Sequence, residues 1–408
     1  MTLAVVTLAA WSPRPARGAV VGTGTAASCS EAALSAALGC RPPYNCSGGG
    51  NVTFNCGASP VTITVTSTKP MAGETSMDGA GLITLSGGGT TKVFTVNSGA
   101  TLSLANLTIS NAACYAIGSN GTVTVTNTMF SGNSASGGGC GAIFNNGTLT
   151  VTNSTFSGNS AGAIYNNMGT VTVTNSTFSG NRTFTGNSGS DSGAIFNGGK
   201  LSVTNSTFTR NSTLGSGGAI YNLSTLTVDN STFSGNGAGG GADGFGGGGG
   251  AIFNNIGTLT VTNSTFSRNS ATATGGVGVS LAVGGAIYGH GTFTNCTFSE
   301  NSASDGGGAV YNGGFLTVTN NTFFSNIATS GGAIYSFGTV TVTNSTFSGN
   351  VANGNRGPGN GGAIYNSGSA TLTNTIVANS ASSENCAGTV TDGGHNLDSD
   401  GTCGVGAP

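Results

Sequence analysis

The sequence predicts an all-β fold, a parallel β-helix of three sheets and about twelve coils with a short N-terminal capping helix. Three observations carry this. The stretch GAIFNNGTLTVTNSTFSGNSA at residues 141–161 returns as GAIYNNMGTVTVTNSTFSGN from Gly162, GAIFNNIGTLTVTNSTFSRN from Gly250 and GAIYSFGTVTVTNSTFSGN from Gly332. The repeats vary on one side only: Gly141 to Phe156, Gly218 to Phe233 and Gly332 to Phe347 are each 15 residues, whereas Phe156 to Gly162 is 6 and Phe266 to Gly285 is 19. Finally, Gly, Thr and Asn fill the period in place of helix formers, while apolar residues recur in register, which separates the chain from a disordered low-complexity segment.

Residues 1–27 open with a short apolar run and then small residues, MTLAVVTLAAWSPRPARGAV, which fits the tail of a secretory leader without its charged start. Residues 28–60 read as a cap. Ser28 with Glu31 three residues on forms a capping box ahead of Ala and Leu suited to a short helix. Cys29, Cys40, Cys46 and Cys56 would staple this cap in one of three connectivities.

Residues 61–376 form the β-helix. In Gly-Thr-Leu-Thr-Val-Thr the apolar positions alternate with Thr, so Leu149 and Val151 face inward and Thr148, Thr150 and Thr152 outward. Asn153 turns the chain, Ser154 to Phe156 is a second strand, and Ala142 to Phe144, with Ile143 inward, is a third. The inward anchors are Phe130, Phe156, Phe178, Phe208, Phe233, Phe266, Phe298, Phe323 and Phe347, with Ile109 before and Ile376 after. Stacking like over like predicts an internal amide ladder of Asn106, Asn127, Asn153, Asn175, Asn205, Asn230, Asn263, Asn295, Asn320, Asn344 and Asn374. The ladder also accounts for the recurring Asn-Ser-Thr without glycosylation. Cys114 and Cys140 occupy one place in successive repeats, so a disulfide between neighbouring coils is expected. Cys296 replaces the Ser of Asn-Ser-Thr-Phe and reads as a small inward residue. Residues 377–408 form a tail closed by Cys386 and Cys403; Asp392, Asn396, Asp398 and Asp400 supply oxygens there, but at no established calcium-loop spacing.

With Gly-Gly-Ala-Ile at residues 217–220, 284–287, 331–334 and 361–364 and Phe-x-x-Asn at 156–159, 266–269, 298–301 and 347–350, the chain resembles the repeats of chlamydial polymorphic outer membrane proteins. It is also similar to bacterial right-handed β-helix surface proteins that begin with a CSLREA-type segment. CSEAAL at Cys29 is a loose version of that segment, and NTIVANSASSENCAGTVTDGGHNLDSDGTCG from Asn374 is similar to their closing segment. The resemblance spans residues 28 to 403 and implies a right-handed, pectin-lyase-like β-helix, secreted or surface-attached. It suggests adhesion and supplies no shared catalytic residues.

Ten basic and twelve acidic residues leave a net charge of -2 with no basic run, which argues against nucleic acid. Cysteines that can be paired fit export, and no segment reaches membrane-spanning length. The same fold hosts pectate lyases and polygalacturonases, which need clustered carboxylates. Here Asp78, Asp191, Asp229, Asp243 and Asp305 are scattered, Lys200 and Arg210 lack an acidic pair, and His290 and His395 stand alone.

Two outer surfaces remain. An aromatic column, Phe144, Tyr165, Phe196, Tyr221, Phe253, Tyr288, Tyr311, Tyr335 and Tyr365, runs beside the variable loops, among them Gly235 to Gly250. It would stack on sugar rings if it faces outward. Rows of Thr, such as Thr122, Thr124 and Thr126 or Thr339, Thr341 and Thr343, resemble the Thr-x-Thr faces of β-helical ice-binding proteins, interrupted by Lys200, Asp229 and Phe315. The expectation is a non-catalytic secreted or cell-surface protein without cofactor or metal, acting as a stalk or adhesin toward glycans or host and cell-surface proteins. An ice-binding protein and a polysaccharide-active enzyme are the alternatives.

Overall fold

The computed structural model describes residues 18–41, 45–134, 141–183, 192–240, 247–273, 281–354, 360–380 and 384–405. The chain winds as a parallel β-helix. In one coil, Ile143–Asn145 leads through a two-residue turn to Thr148–Thr152, and a corner at Asn153 and Ser154 leads to Thr155–Ser157. Each strand pairs in register with its copy on the next coil: Ile143 with Ile164, Leu149 with Val171, Phe156 with Phe178. We name these the aromatic, threonine and phenylalanine faces after what each carries.

Three sheets understate the coil. Among the described residues, seven further strands of two or three residues, from Arg182–Thr183 to Val351–Ala352, pair as a fourth strip after the Phe-x-x-Asn segment. Its buried positions are Thr183, Thr213, Ala238, Ala271, Ala303, Ala328 and Ala352. Strands this short show no period-two signal in a sequence. The variable connections all start beyond this strip. The return to the aromatic face is tight: a Cβ on Gly285 would lie 2.1 Å from the Gly308 carbonyl oxygen, so only Gly lets successive coils approach there.

The nine anchor phenylalanines are fully buried and stack face to face, successive centroids 4.6–5.0 Å apart with planes within 10°. Burying each ring contributes about 1.5–3 kcal/mol and each stacked pair about 0.5–1.5 more. Ile109 continues the column in register with Phe130. Ile376 does not: Val377 pairs with Phe347 and is buried, while Ile376 is 43% exposed. The inward position is set by distance from the Asn374 corner, and Val377 holds it.

The expected internal ladder is at the outside of the rod. All eleven corner asparagines adopt φ between 45° and 57°, a left-handed conformation that Asn tolerates best among residues with a side chain. Asn106 is half-buried and the other ten are exposed. Several still bond across coils, as from Asn230 Nδ2 to Asn205 Oδ1 at 2.7 Å and Asn374 Nδ2 to Asn344 Oδ1 at 2.6 Å.

The internal ladders use other asparagines. One comprises Asn133, Asn159, Asn181, Asn211, Asn236, Asn269, Asn301, Asn326 and Asn350, the Asn of Phe-x-x-Asn, each at most 1% exposed. Asn236 Nδ2 donates to Asn269 Oδ1 (2.9 Å) and to the Phe208 carbonyl (2.9 Å), while its Oδ1 accepts from the amide and side chain of Asn211. A second ladder links Asn145, Asn166, Asn197, Asn222 and Asn254 at 2.7–2.9 Å. Its first member is incomplete: Asn145 Oδ1 is buried without a partner, because the preceding coil carries Ser119 at that register. Ser119→Asn is expected to extend the ladder and raise stability by about 1 kcal/mol, measured as a shift of the urea midpoint.

Both ends continue the helix. Residues 19–27, expected to be leader, are part of the fold: Ala19–Val21 pairs with Gly50–Phe54 and Val21 is fully buried. Residues 1–17 lie outside the described residues. The helix is Glu31–Ala37, and Ser30, not Ser28, caps it by accepting from the Ala33 amide at 3.2 Å. Glu31 is then free to reach Lys69. The cap disulfides are Cys29–Cys56 and Cys40–Cys46. At the other end the tail is a further coil: Cys386–Asp392 pairs with Ile364–Thr373, Leu397–Asp398 with Ile376–Ala378, and Cys386 is bonded to Cys403. Cys114 is disulfide-bonded, and Cys140 lies outside the described residues.

Candidate functional site

The strand that carries the aromatic column alternates Ile inward, aromatic outward, Asn inward, so Phe144, Tyr165, Tyr288, Tyr311, Tyr335 and Tyr365 face away from the core and are half-buried. Phe196 and Tyr221 are nearly covered, at 6% and 7% exposure. The column begins one coil earlier than the repeats suggest, at Tyr115, whose ring centroid is 4.1 Å from Lys92 Nζ.

The rings stack on one another, with successive centroids 4.4–5.8 Å apart. Their faces are therefore occupied, and the expected stacking of sugars on those faces is corrected: the column offers ring edges and hydroxyls. Burial, then the neighbouring Tyr288 and Tyr335, pushes the Tyr311 hydroxyl up to about 12. Burial also raises Tyr221 and Tyr288. These hydroxyls stay protonated donors at any ordinary pH.

One place departs from the simple column. Phe337, 54% exposed, stands at 67° to the Tyr311 ring and 70° to the Tyr335 ring, with centroids 6.0 and 5.1 Å away. Opposite it lie Leu281, Asp305 and Thr329, and together they enclose a groove of about 120 Å³. A cavity of roughly 150 Å³ holds a benzene-sized ring, so this smaller, open-sided groove takes the edge of one ring. Asp305 is pinned at the rim, its Oδ2 accepting from the Ala282 amide at 2.7 Å. Gly306 makes room for the floor, since a Cβ there would meet the Tyr335 ring at 3.0 Å. The sequence signal was Ser336-Phe337-Gly338, standing where most other coils have Asn at the first position and none has Phe at the second.

The remaining candidates are dispersed. Asp229 accepts from Thr262 Oγ1 and Asn263 Nδ2, which hold its carboxyl below the usual range. Asp78 accepts from the Ala80 amide and Asn106 Nδ2. Asp398 is buried and accepts from Asn385 Nδ2 and the Cys403 amide, while Asp400 accepts from the Asn385 and Thr402 amides. Asp392 Oδ1 accepts from Asn396 Nδ2 and the Gly394 amide. The tail carboxylates thus satisfy backbone and amide donors where the last coil closes. Among the described residues no three His, Cys, Asp or Glu side chains gather to hold a metal; Asp191 and Asp243, and with the latter residues 241–246 of the Gly-rich loop, lie outside them. Cys296 is buried and continues a column of Ser hydroxyls that accept from the amide one coil earlier, as Ser176 Oγ does from Ser154. Burial pushes its thiol up to about 11, which leaves it inert.

Comparison with known families agrees with this architecture. The chlamydial polymorphic membrane protein repeat matches residues 344–367. Among solved structures, the catalytic unit of a thermostable GH87 alpha-1,3-glucanase from Streptomyces thermodiastaticus strain HF3-3 is similar over 97% of this chain and 71% of that one, with a TM-score of 0.40 and 16% identity. No curated protein matches. The right-handed β-helix region matches residues 91–347, well over half of the chain. The chain belongs to the right-handed β-helix family.

Proposed function

We propose that this protein is a non-catalytic, exported or surface-displayed stalk that engages carbohydrate at the groove beside Tyr311, Tyr335 and Phe337. The groove carries this reading. An exposed ring set across two tyrosines supplies apolar contact for the C–H face of a sugar, and the Asp305 carboxylate and Thr329 hydroxyl supply polar partners, the mixture of a small-ligand site. Export is supported by the disulfides, which persist in oxidising compartments, and by the polymorphic membrane protein repeat. A stalk is supported by continuous register along the rod and by the two buried amide ladders that stiffen it.

The test is binding of the full chain to a polysaccharide and glycan array, with Phe337→Ala and Asp305→Asn alongside. Phe337 is more than half exposed, so its removal leaves the column in place. At least tenfold weaker binding by each variant is expected, about 1.4 kcal/mol. Unchanged binding by Phe337→Ala, or no glycan bound by any form, would sink the reading.

A further inference from the structure

The threonine face is independent of the groove, and pairing register gives it a property that rows of Thr in a sequence do not show. Its central column carries Thr or Ser at every coil from Ser103 to Thr371 without a break. Lys200 and Phe315 fall in one flanking column and Asp229 in the other. Two uninterrupted patches result. Three columns are complete over the three coils from Thr122 to Thr174, and two columns are complete over the five coils from Thr260 to Thr373.

Among the described residues, no inserted chain covers the face. Between the aromatic and threonine strands lie two or three residues, as at 146–147 and 167–169, and a two-residue corner follows. All the long connections join the fourth strip to the aromatic face instead.

We propose that this face adsorbs ice. Successive coils are about 4.8 Å apart and alternate residues on a strand about 6.6–6.8 Å apart, so the hydroxyls and methyls form a two-dimensional lattice. The β-branched side chain restricts χ1, which keeps their orientation uniform from coil to coil. In ice, hydrogen bonds of about 2.75 Å between tetrahedral oxygens repeat at about 4.5 Å along a row and about 7.4 Å along the hexagonal axis. The mismatch is about 0.3 Å per coil, less than 1 Å across the three-coil patch, and under 1 Å between adjacent columns. A soluble glycan has no such lattice to offer, whereas a second copy of this face would repeat at the same spacing of about 4.8 Å and is tested below. The patches contain no charged residue of their own, although Lys200 borders the first at Thr170 and Asp229 accepts from Thr262 at the edge of the second, and the stacked coils hold the array rigid before binding.

The experiment is partition of the full chain into growing ice, with thermal hysteresis and inhibition of ice recrystallisation. The variants are Thr150→Lys, at the centre of the first patch, Thr317→Lys in the second, and the double variant. Far-ultraviolet circular dichroism and the melting temperature establish folding of each. The native chain is expected to enter ice, the double variant to lose at least tenfold of that partition, and Phe337→Ala to retain it. Exclusion of the native chain from ice, or retention by a folded double variant, overturns the proposal. So does a native dimer that the lysines dissociate without any ice activity, which would assign the face to a second copy.

Discussion

Asn236→Ala is expected to lower stability by about 3–5 kcal/mol, whereas Asn230→Ala on the same coil costs about 1 kcal/mol or less. Asn236 accepts from two buried donors of Asn211 and donates to Asn269 and the Phe208 carbonyl, so its removal orphans groups on both neighbouring coils. Each buried orphan costs roughly 1–3 kcal/mol, and water entering the vacated space offsets part of the total. Asn230 is exposed, and its loss removes one solvent-facing hydrogen bond and the preference of Asn for φ near 45°. Urea denaturation of the pair measures the difference. Equal costs would show that the buried ladder is no more than a consequence of stacking.

Glu31→Gln is expected to open the N-terminal cap, at about 3–5 kcal/mol of local stability. Lys69 is 3% exposed, and its ammonium lies 2.6 Å from Glu31 Oε1. Without that carboxylate a buried positive charge is left uncompensated. Hydrogen exchange of residues 19–38 reads the effect, and adding Lys69→Met restores protection because it removes the stranded charge. Burial pushes the Glu31 carboxyl up, but hydrogen bonds from Lys69, Thr66 and Ser67 outweigh it and bring it down to about 2 from 4.5. The folded value is the depressed one. Its contribution is therefore complete above about pH 4.5 and lost as pH falls towards 2. Cap protection in the native chain should follow that window and be flat in the double variant.

Much of the coil was legible residue by residue. The alternation in Thr-Leu-Thr-Val-Thr fixes which side chains face in, because period two permits no other arrangement once one face is buried. The lone Asn between two strands marks a left-handed corner for steric reasons that are local. A periodic sequence also requires like to stack on like, which predicts columns of Phe, Tyr, Thr and Asn before any coordinate is known.

What recurrence does not show is which side of a corner a residue occupies. Asn230 and Asn236 each recur once per coil, and only the path of the chain places one in water and the other in the core. The same limit explains Val377 in the place expected of Ile376, and Ser30 capping the helix in place of Ser28. Pairing of the four N-terminal cysteines and the crossing of Phe337 against two tyrosines are likewise set by groups far apart in sequence. So is the occupation of ring faces by neighbouring rings. The sequence alone determined the repeat, the strands and the composition of each face, all products of short-range sterics and burial. The tertiary structure decided which amides are buried, which rings remain open and which threonines adjoin, because each depends on where the next coil comes to rest.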